Sequence, residues 1–173
     1  EYRDGKIWQK PVREIENYRK NRCCYENVKV GESLSLEGVR GRMIDLTVEL
    51  QNADGIMDGS RNSGNPNQEA LDVYNEFRIE LARNDRKRQI LEIDRTWSGV
   101  QRDVICTRKL QITDDRQNLK LRFILDRSSI ELFINDGSKT ATTVIPTPVE
   151  ADEILFHSDG NAVIQVEKYD IVL

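Results

Sequence analysis

A chain of 173 residues, 38% hydrophobic and 32% charged, has room for one folded domain with a real core and well-solvated outer faces. Its formal net charge of −4, with Lys and Arg interspersed among Asp and Glu, offers no basic footprint for nucleic acid or an anionic membrane. No apolar run approaches the roughly 20 residues of a membrane-spanning helix, and no charged start, apolar stretch and small-residue cleavage site follow one another.

Glu1 reads as a point inside a longer protein, so a leader upstream stays open, and with it the choice between cytoplasm and secretion. Three cysteines, Cys23, Cys24 and Cys106, tilt that choice toward a reducing compartment, because an odd count suits free thiols better than a disulfide framework. Cys23 and Cys24 are adjacent rather than spaced as Cys-x-x-Cys, and the single His157 lacks companions for a zinc set. No metal or cofactor is expected.

At the start, Lys6 to Gln9 is extended, and Pro11 suits the first position of a connector helix of two or three turns with Val12, Ile15 and Tyr18 or Arg19 at helical spacing. From Val28 onward the period is two. Ile44, Leu46, Val48 and Leu50 alternate with Asp45, Thr47 and Glu49, which predicts a strand with one buried face. Asn52 to Gln68 is rich in Gly, Asn, Asp, Ser and Pro and reads as an exposed insertion. Its Asp54, Asp58 and Gly59 lack the ligand spacing and closing Glu of a calcium loop.

Phe77, Ile79 and Leu81 predict the next strand, and Gln89 to Ile93 its hairpin partner across a solvated tip at Arg83 to Arg88. Val104 to Leu110 reads as one weaker strand. Leu119, Leu121, Phe123 and Leu125 form a strong one that returns through Ile130, Leu132 and Ile134. Asn135-Asp136-Gly137 is a tight-turn device of the type I′ kind, which needs positive φ at both central residues. Thr140 to Ile145, Ile154 to His157 and Ala162 to Leu173 close the chain. In the last of these the apolar phase switches between Val166 and Tyr169, which predicts a β-bulge near Glu167-Lys168.

Many short strands with close turns argue for an all-β sandwich of two antiparallel sheets, of the concanavalin or lectin-like jelly-roll type, with a short N-terminal connector helix. Residues 1–25 read as a junction and linker, and 26–173 as the sandwich domain.

Three segments carry a resemblance. Gly5-Lys6-Ile7-Trp8-Gln9-Lys10-Pro11-Val12-Arg13-Glu14-Ile15, Leu91-Glu92-Ile93-Asp94-Arg95-Thr96-Trp97-Ser98-Gly99 and, most specifically, Leu121 to Gly137 with its Asp126-Arg127-Ser128-Ser129-Ile130-Glu131-Leu132-Phe133-Ile134-Asn135-Asp136-Gly137. In wording, order and spacing the chain resembles the C-terminal β-sandwich of glycoside hydrolase family 32, the invertases, levanases and sucrose-6-phosphate hydrolases. The resemblance implies a partner, a five-bladed catalytic propeller that cleaves β-fructosidic bonds with retention, and an architectural role for this sandwich. It also leaves room for a homodimer surface.

The family's catalytic carboxylates lie in Asn-Asp-Pro-Asn-Gly, Arg-Asp-Pro and Glu-Cys motifs. Here Asn65-Pro66-Asn67 lacks the Asp, Arg102-Asp103 runs into Val104, and Cys23 follows Arg22, so no catalytic residue is assigned. Asp126 and Glu131 would be the tempting acid pair, since retaining hydrolysis needs carboxyls about 5 to 5.5 Å apart. Asp126 more simply accepts from turn amides at Ser128 and Ser129, with Arg127 paired to an acid, and Asn135 and Gly137 shape the next turn. The alternative to an architectural role is an autonomous fructan-binding module. For it Trp97, in a polar turn, is the candidate sugar or interface contact, with folding back over its own sheet as the structural alternative, while Trp8 faces the propeller.

Overall fold

Alternation of apolar and polar side chains builds two antiparallel sheets packed face to face, as the computed structural model shows; it describes residues 1–3, 5–51, 76–85, 88–94, 101–105, 109–113 and 118–173. A small hairpin of β1 (Tyr2–Arg3) and β2 (Lys6–Ile7) comes first. The larger sheet contains β3 (Arg19–Val30), β4 (Ile44–Gln51), β9 (Asn118–Leu125), β10 (Ser129–Ile134), β11 (Lys139–Val144) and β13 (Ala162–Ile171), in the order β11-β10-β9-β4-β13-β3. The other sheet contains β5 (Glu76–Arg83), β6 (Gln89–Asp94), β7 (Gln101–Ile105), β8 (Lys109–Thr113) and β12 (Glu153–Ser158), in the order β12-β5-β6-β7-β8.

The core lies between them. Leu46, Val48 and Leu50 of β4 and Leu119, Leu121 and Phe123 of β9 meet Phe77 and Ile79 of β5 and Phe156 of β12, all essentially without solvent contact. Burying each such side chain contributes roughly 1.5–3 kcal/mol, which fixes the register, because a one-residue slip would turn the whole row outward. Residues 31–36 then cover the free side of β12: Leu34 and Phe156 exchange backbone hydrogen bonds of 2.8 and 2.9 Å.

Four details differ from the sequence reading. The connector is a 3-10 helix over Arg13–Tyr18 with Val12, not Pro11, at its edge. Val12, Ile15 and Tyr18 are three apart, and three residues make one 3-10 turn, so that spacing suits the tighter helix. The stretch around Val104 to Leu110 forms two strands, β7 and β8, with Val104 opposite Leu110. Their equal parity lets a hairpin pass for one strand.

β3 begins well before Val28. As an outer strand it keeps most side chains in water and so shows little apolar alternation. The bulge expected at Glu167-Lys168 lies instead on the neighbour: β13 pairs with β4 without interruption, whereas β3 places two residues opposite one near Asn21 and again near Asn27. Both asparagines have positive φ, 49° and 53°. β13 keeps its phase by turning Lys168 inward, where its ammonium pairs with Asp170. The insertion at 52–68 lies outside the described residues.

Candidate functional site

The N-terminal segment is latched to the 135–138 loop. Trp8 N–H donates to the Glu1 carbonyl at 2.7 Å, the Glu1 ammonium donates to the Trp8 carbonyl at 2.9 Å, and Gln9 N–H donates to the Gly137 carbonyl at 3.0 Å. The Thr140 hydroxyl donates to Gln9 Oε1. Between this segment and the outer face of β9, β10 and β11 is a space of about 720 Å³ lined by Trp8, Val12, Ile15, Ile124, Glu131 and Phe133. Trp8 is half-buried there and Glu131 is exposed.

The 135–138 loop is longer than the two-residue turn expected, since Ile134 pairs with Lys139 and leaves four residues between them. Positive φ is nevertheless its signature, at Asn135 (47°), Asp136 (61°) and Gly137 (94°). Asn135 is buried and its Oδ1 accepts from Lys120 N–H at 3.0 Å, which holds the loop against β9. Gly137 is required twice over. Its φ favours glycine, and a Cβ there would lie 1.8 Å from the Gln9 carbonyl oxygen.

At the other end of the hairpin, Asp126 Oδ1 accepts from the amides of Ser128 and Ser129, both at 2.6 Å, while Oδ2 accepts from the Ser129 hydroxyl at 3.0 Å. Burial pushes the Asp126 carboxyl up, but those donors outweigh it and hold it below the usual carboxylate range. Arg127 has an exposed side chain and, among the described residues, forms no ion pair; its carbonyl is what matters. It accepts from Arg42 Nη2 at 2.6 Å. Arg42 is buried and also donates through Nη1 to Pro148 O at 2.6 Å and to Thr147 at 3.2 and 3.3 Å. One guanidinium thus ties the 126–129 turn to the 147–151 loop, and burial lowers its pKa.

Sequence reasoning passed over the most heavily paired charge on the larger sheet. Asp45, on the outer face of β4, is only 1% exposed because Arg19 of β3 and Arg122 of β9 close over it. Arg19 donates through Nε at 2.9 Å and Nη2 at 2.7 Å; Arg122 donates through Nε at 3.0 Å and Nη2 at 2.7 Å. The Tyr169 ring lies 4.6 Å from the Arg19 guanidinium, and Glu16 of the 3-10 helix is 3.9 and 3.8 Å from the two arginines. For Arg122 burial works downward, but Asp45 and Glu16 prevail and raise its pKa. An acid in the polar phase of β4 was the visible signal; its partners depend on strand order.

Beside this cluster the sheet is hollowed into a polar groove of about 350 Å³, floored by β13, β4 and β9 and walled by β3 on one side and by Lys10, Pro11 and Asp136 on the other. Trp97, Arg95 and Cys106 lie outside the described residues. Among the described residues no three His, Cys, Asp or Glu side chains gather as a metal ion would require. The structure therefore puts Trp8 and Glu131 on the lining of one space beside the larger sheet, seats Gly137 against Gln9, and leaves Asp126, Ser128 and Ser129 together at the other end of the hairpin.

Residues 14–172 match the family model described as glycosyl hydrolases family 32 C terminal. The chain belongs to that family. Its C-terminal-domain sequence is 28% identical over 158 residues to a probable sucrose-6-phosphate hydrolase of Vibrio cholerae, covering 91% of this chain and 25% of that protein. It is 27% identical over 164 residues to raffinose invertase of Escherichia coli, covering 94% and 31%. The family 32 domain also superposes on fructan 1-exohydrolase IIa of Cichorium intybus with a TM-score of 0.73 at 16% identity, covering 98% of this chain and 39% of that one, a likeness of fold. The chain thus spans between 25% and 31% of the length of these two curated relatives.

Proposed function

We propose that this chain is the non-catalytic C-terminal module of a β-fructofuranosidase-type hydrolase that cleaves fructosidic bonds of sucrose or fructans. Its task is to brace a catalytic five-bladed propeller. Residues 1–25 form the junction that runs into β3, and residues 26–173 the body of the sandwich. The observation that carries this reading is the latched N-terminal segment. Gln9 is fixed to the sandwich by its backbone amide and Trp8 is tied to Glu1 within the same segment, while Tyr2, Ile7 and Val12 beside them are 77%, 71% and 69% exposed. Three large apolar side chains, on β1, β2 and the edge of the 3-10 helix, held in a latched segment and turned to water are what a docking face leaves bare without its partner. The relatives support the substrate class, because their names refer to sucrose-6-phosphate and raffinose.

The family's carboxylate motifs do not occur in the sequence, and the Asp126 carboxylate is spent on its own turn. Turnover accordingly belongs to the propeller. The test is to assay the chain alone and mixed with its cognate catalytic domain on sucrose, raffinose, inulin and levan. The expected result is no hydrolysis by the chain alone, together with a higher melting temperature of the catalytic domain when the chain is added. Hydrolysis by the purified chain would overturn the proposal. A second copy is the other proposed partner, to be tested by sedimentation at several concentrations.

A further inference from the structure

We propose that the outer face of the larger sheet holds a second ligand site, a groove for a neutral oligosaccharide. That the sugar contains fructosyl units rests on the function proposed above; the groove itself does not.

Strand register places the groove floor in two cross-strand rows. Glu167, Thr47 and Arg122 stand side by side on β13, β4 and β9, and Gln165, Glu49 and Lys120 form the next row. Strands are about 4.8 Å apart and same-face residues about 6.8 Å apart along a strand, so the floor is a lattice of donors and acceptors at sugar-hydroxyl scale. At about 350 Å³ the space lies within the usual range for a small-molecule site.

An ordinary exposed sheet face carries mobile Lys and Glu side chains, but here the guanidinia are fixed. Arg19 and Arg122 each spend Nε and Nη2 on Asp45, which leaves their Nη1 donors without a partner among the described residues. Arg22 is held through Nε by Glu167 Oε1 at 2.8 Å and by the Tyr169 hydroxyl at 3.1 Å. Side chains already ordered lose little entropy on binding, and a planar guanidinium fork suits paired acceptors. Thr47 and Gln165, at the centre of the floor, make no side-chain hydrogen bond with the described residues although they line the groove. They are the polar groups with capacity to spare.

Charge decides the ligand's character. Asp45, Glu49 and Glu167 answer Arg19, Arg22, Arg122 and Lys120, and Asp136 stands 3.2 Å from the Lys120 ammonium. A field so evenly matched does not select an anion. Neighbouring hydroxyls, each able to donate to a carboxylate and accept from a guanidinium, satisfy both kinds of group at once.

The experiment is a titration of the full chain with 1-kestose and nystose, with maltotriose and inorganic phosphate in parallel, followed by calorimetry and amide chemical shifts. Thr47→Val and Gln165→Ala are the variants, because neither residue takes part in an ion pair; their melting temperatures report that the fold is intact. The expected result is saturable binding of the fructo-oligosaccharides that each variant weakens about tenfold, the size of one lost hydrogen bond to a fixed polar site. No saturation with any sugar overturns the proposal. So does binding that both variants leave unchanged, or that Trp97→Ala abolishes instead. Tighter binding of phosphate than of sugar overturns the neutral assignment. Maltotriose binding that the variants weaken supports the groove and counts against the fructosidase reading alone.

Discussion

Gln9 donates its amide to the Gly137 carbonyl at 3.0 Å, and a single methyl group on Gly137 would fall 1.8 Å from the Gln9 carbonyl oxygen. Two segments 128 positions apart in sequence are therefore in contact at backbone distance, and glycine is what lets them approach. Gly137→Ala should release residues 1–9 while leaving the sheets in place. The expected cost is about 1–3 kcal/mol, combining the unfavourable φ with the clash. Hydrogen exchange would show it: protection lost at Gln9 and Trp8 and retained at Leu121 and Val48. Retained protection at Gln9 would contradict the latch.

Asp45→Asn should be among the most damaging single changes on the larger sheet. The carboxylate has almost no solvent contact and two guanidinia depend on it. Removing one member of such a cluster leaves uncompensated charge and costs about 3–5 kcal/mol, whereas replacing the whole group by apolar residues is often nearly neutral. Urea unfolding of Asp45→Asn and of the triple change Arg19→Met, Asp45→Leu, Arg122→Met should separate the two effects. A single variant as stable as the parent would show that the cluster is ornamental.

Arg42→Met should loosen both the 126–129 turn and the 147–151 loop, because its guanidinium reaches the carbonyls of Arg127, Thr147 and Pro148. A buried acceptor left without a donor, as at Thr147, costs about 1–3 kcal/mol, and the carbonyls of the exposed Arg127 and Pro148 add less because water can reach them. Arg42→Lys should recover only part of this, since an ammonium cannot span acceptors on both sides. Thermal unfolding should rank the parent first, Lys next and Met last; any other order would remove the cross-brace from the account.

The acid limb of stability should carry a contribution from Asp126. Its folded pKa is depressed by the Ser128 and Ser129 donors, so its stabilisation is present above the unfolded value and is lost as pH falls through the folded one. The stability gap between the parent and Asp126→Ala should be about 1–2 kcal/mol near neutrality, because charge-assisted hydrogen bonds at an exposed turn are partly screened. It should close as pH falls through and below the ordinary carboxylate range. A gap independent of pH would mean the carboxylate contributes only through its shape.

What the sequence made legible was periodicity. Leu46, Val48 and Leu50, or Leu121, Phe123 and Leu125, could have no other arrangement than a strand with one dry face, and all are buried. Motif wording carried the family. What stayed hidden was everything that depends on which strands are neighbours. Asp45, Arg19 and Arg122 come from three separate strands and look like ordinary polar-phase residues until the order β9-β4-β13-β3 sets them together. β3 escaped notice for the same reason: an outer strand with little to bury has little alternation to read. The misplaced bulge shows the limit from the other side, because a phase change on β13 could be absorbed by an inward lysine, with the extra residues inserted next door.

The two kinks in β3 have a consequence for solution behaviour. A strand that twice breaks its ladder, and carries Lys20, Arg22 and Lys29, is a poor template for an incoming chain. The opposite border is less well defended: β11 runs straight alongside β10, is half threonine, carries a single charge at Lys139, and ends in Val144 at 72% exposure. Unwanted polymerisation during expression would therefore start from Lys139–Val144, and a charge placed at Val144 is the economical way to keep the molecule dispersed.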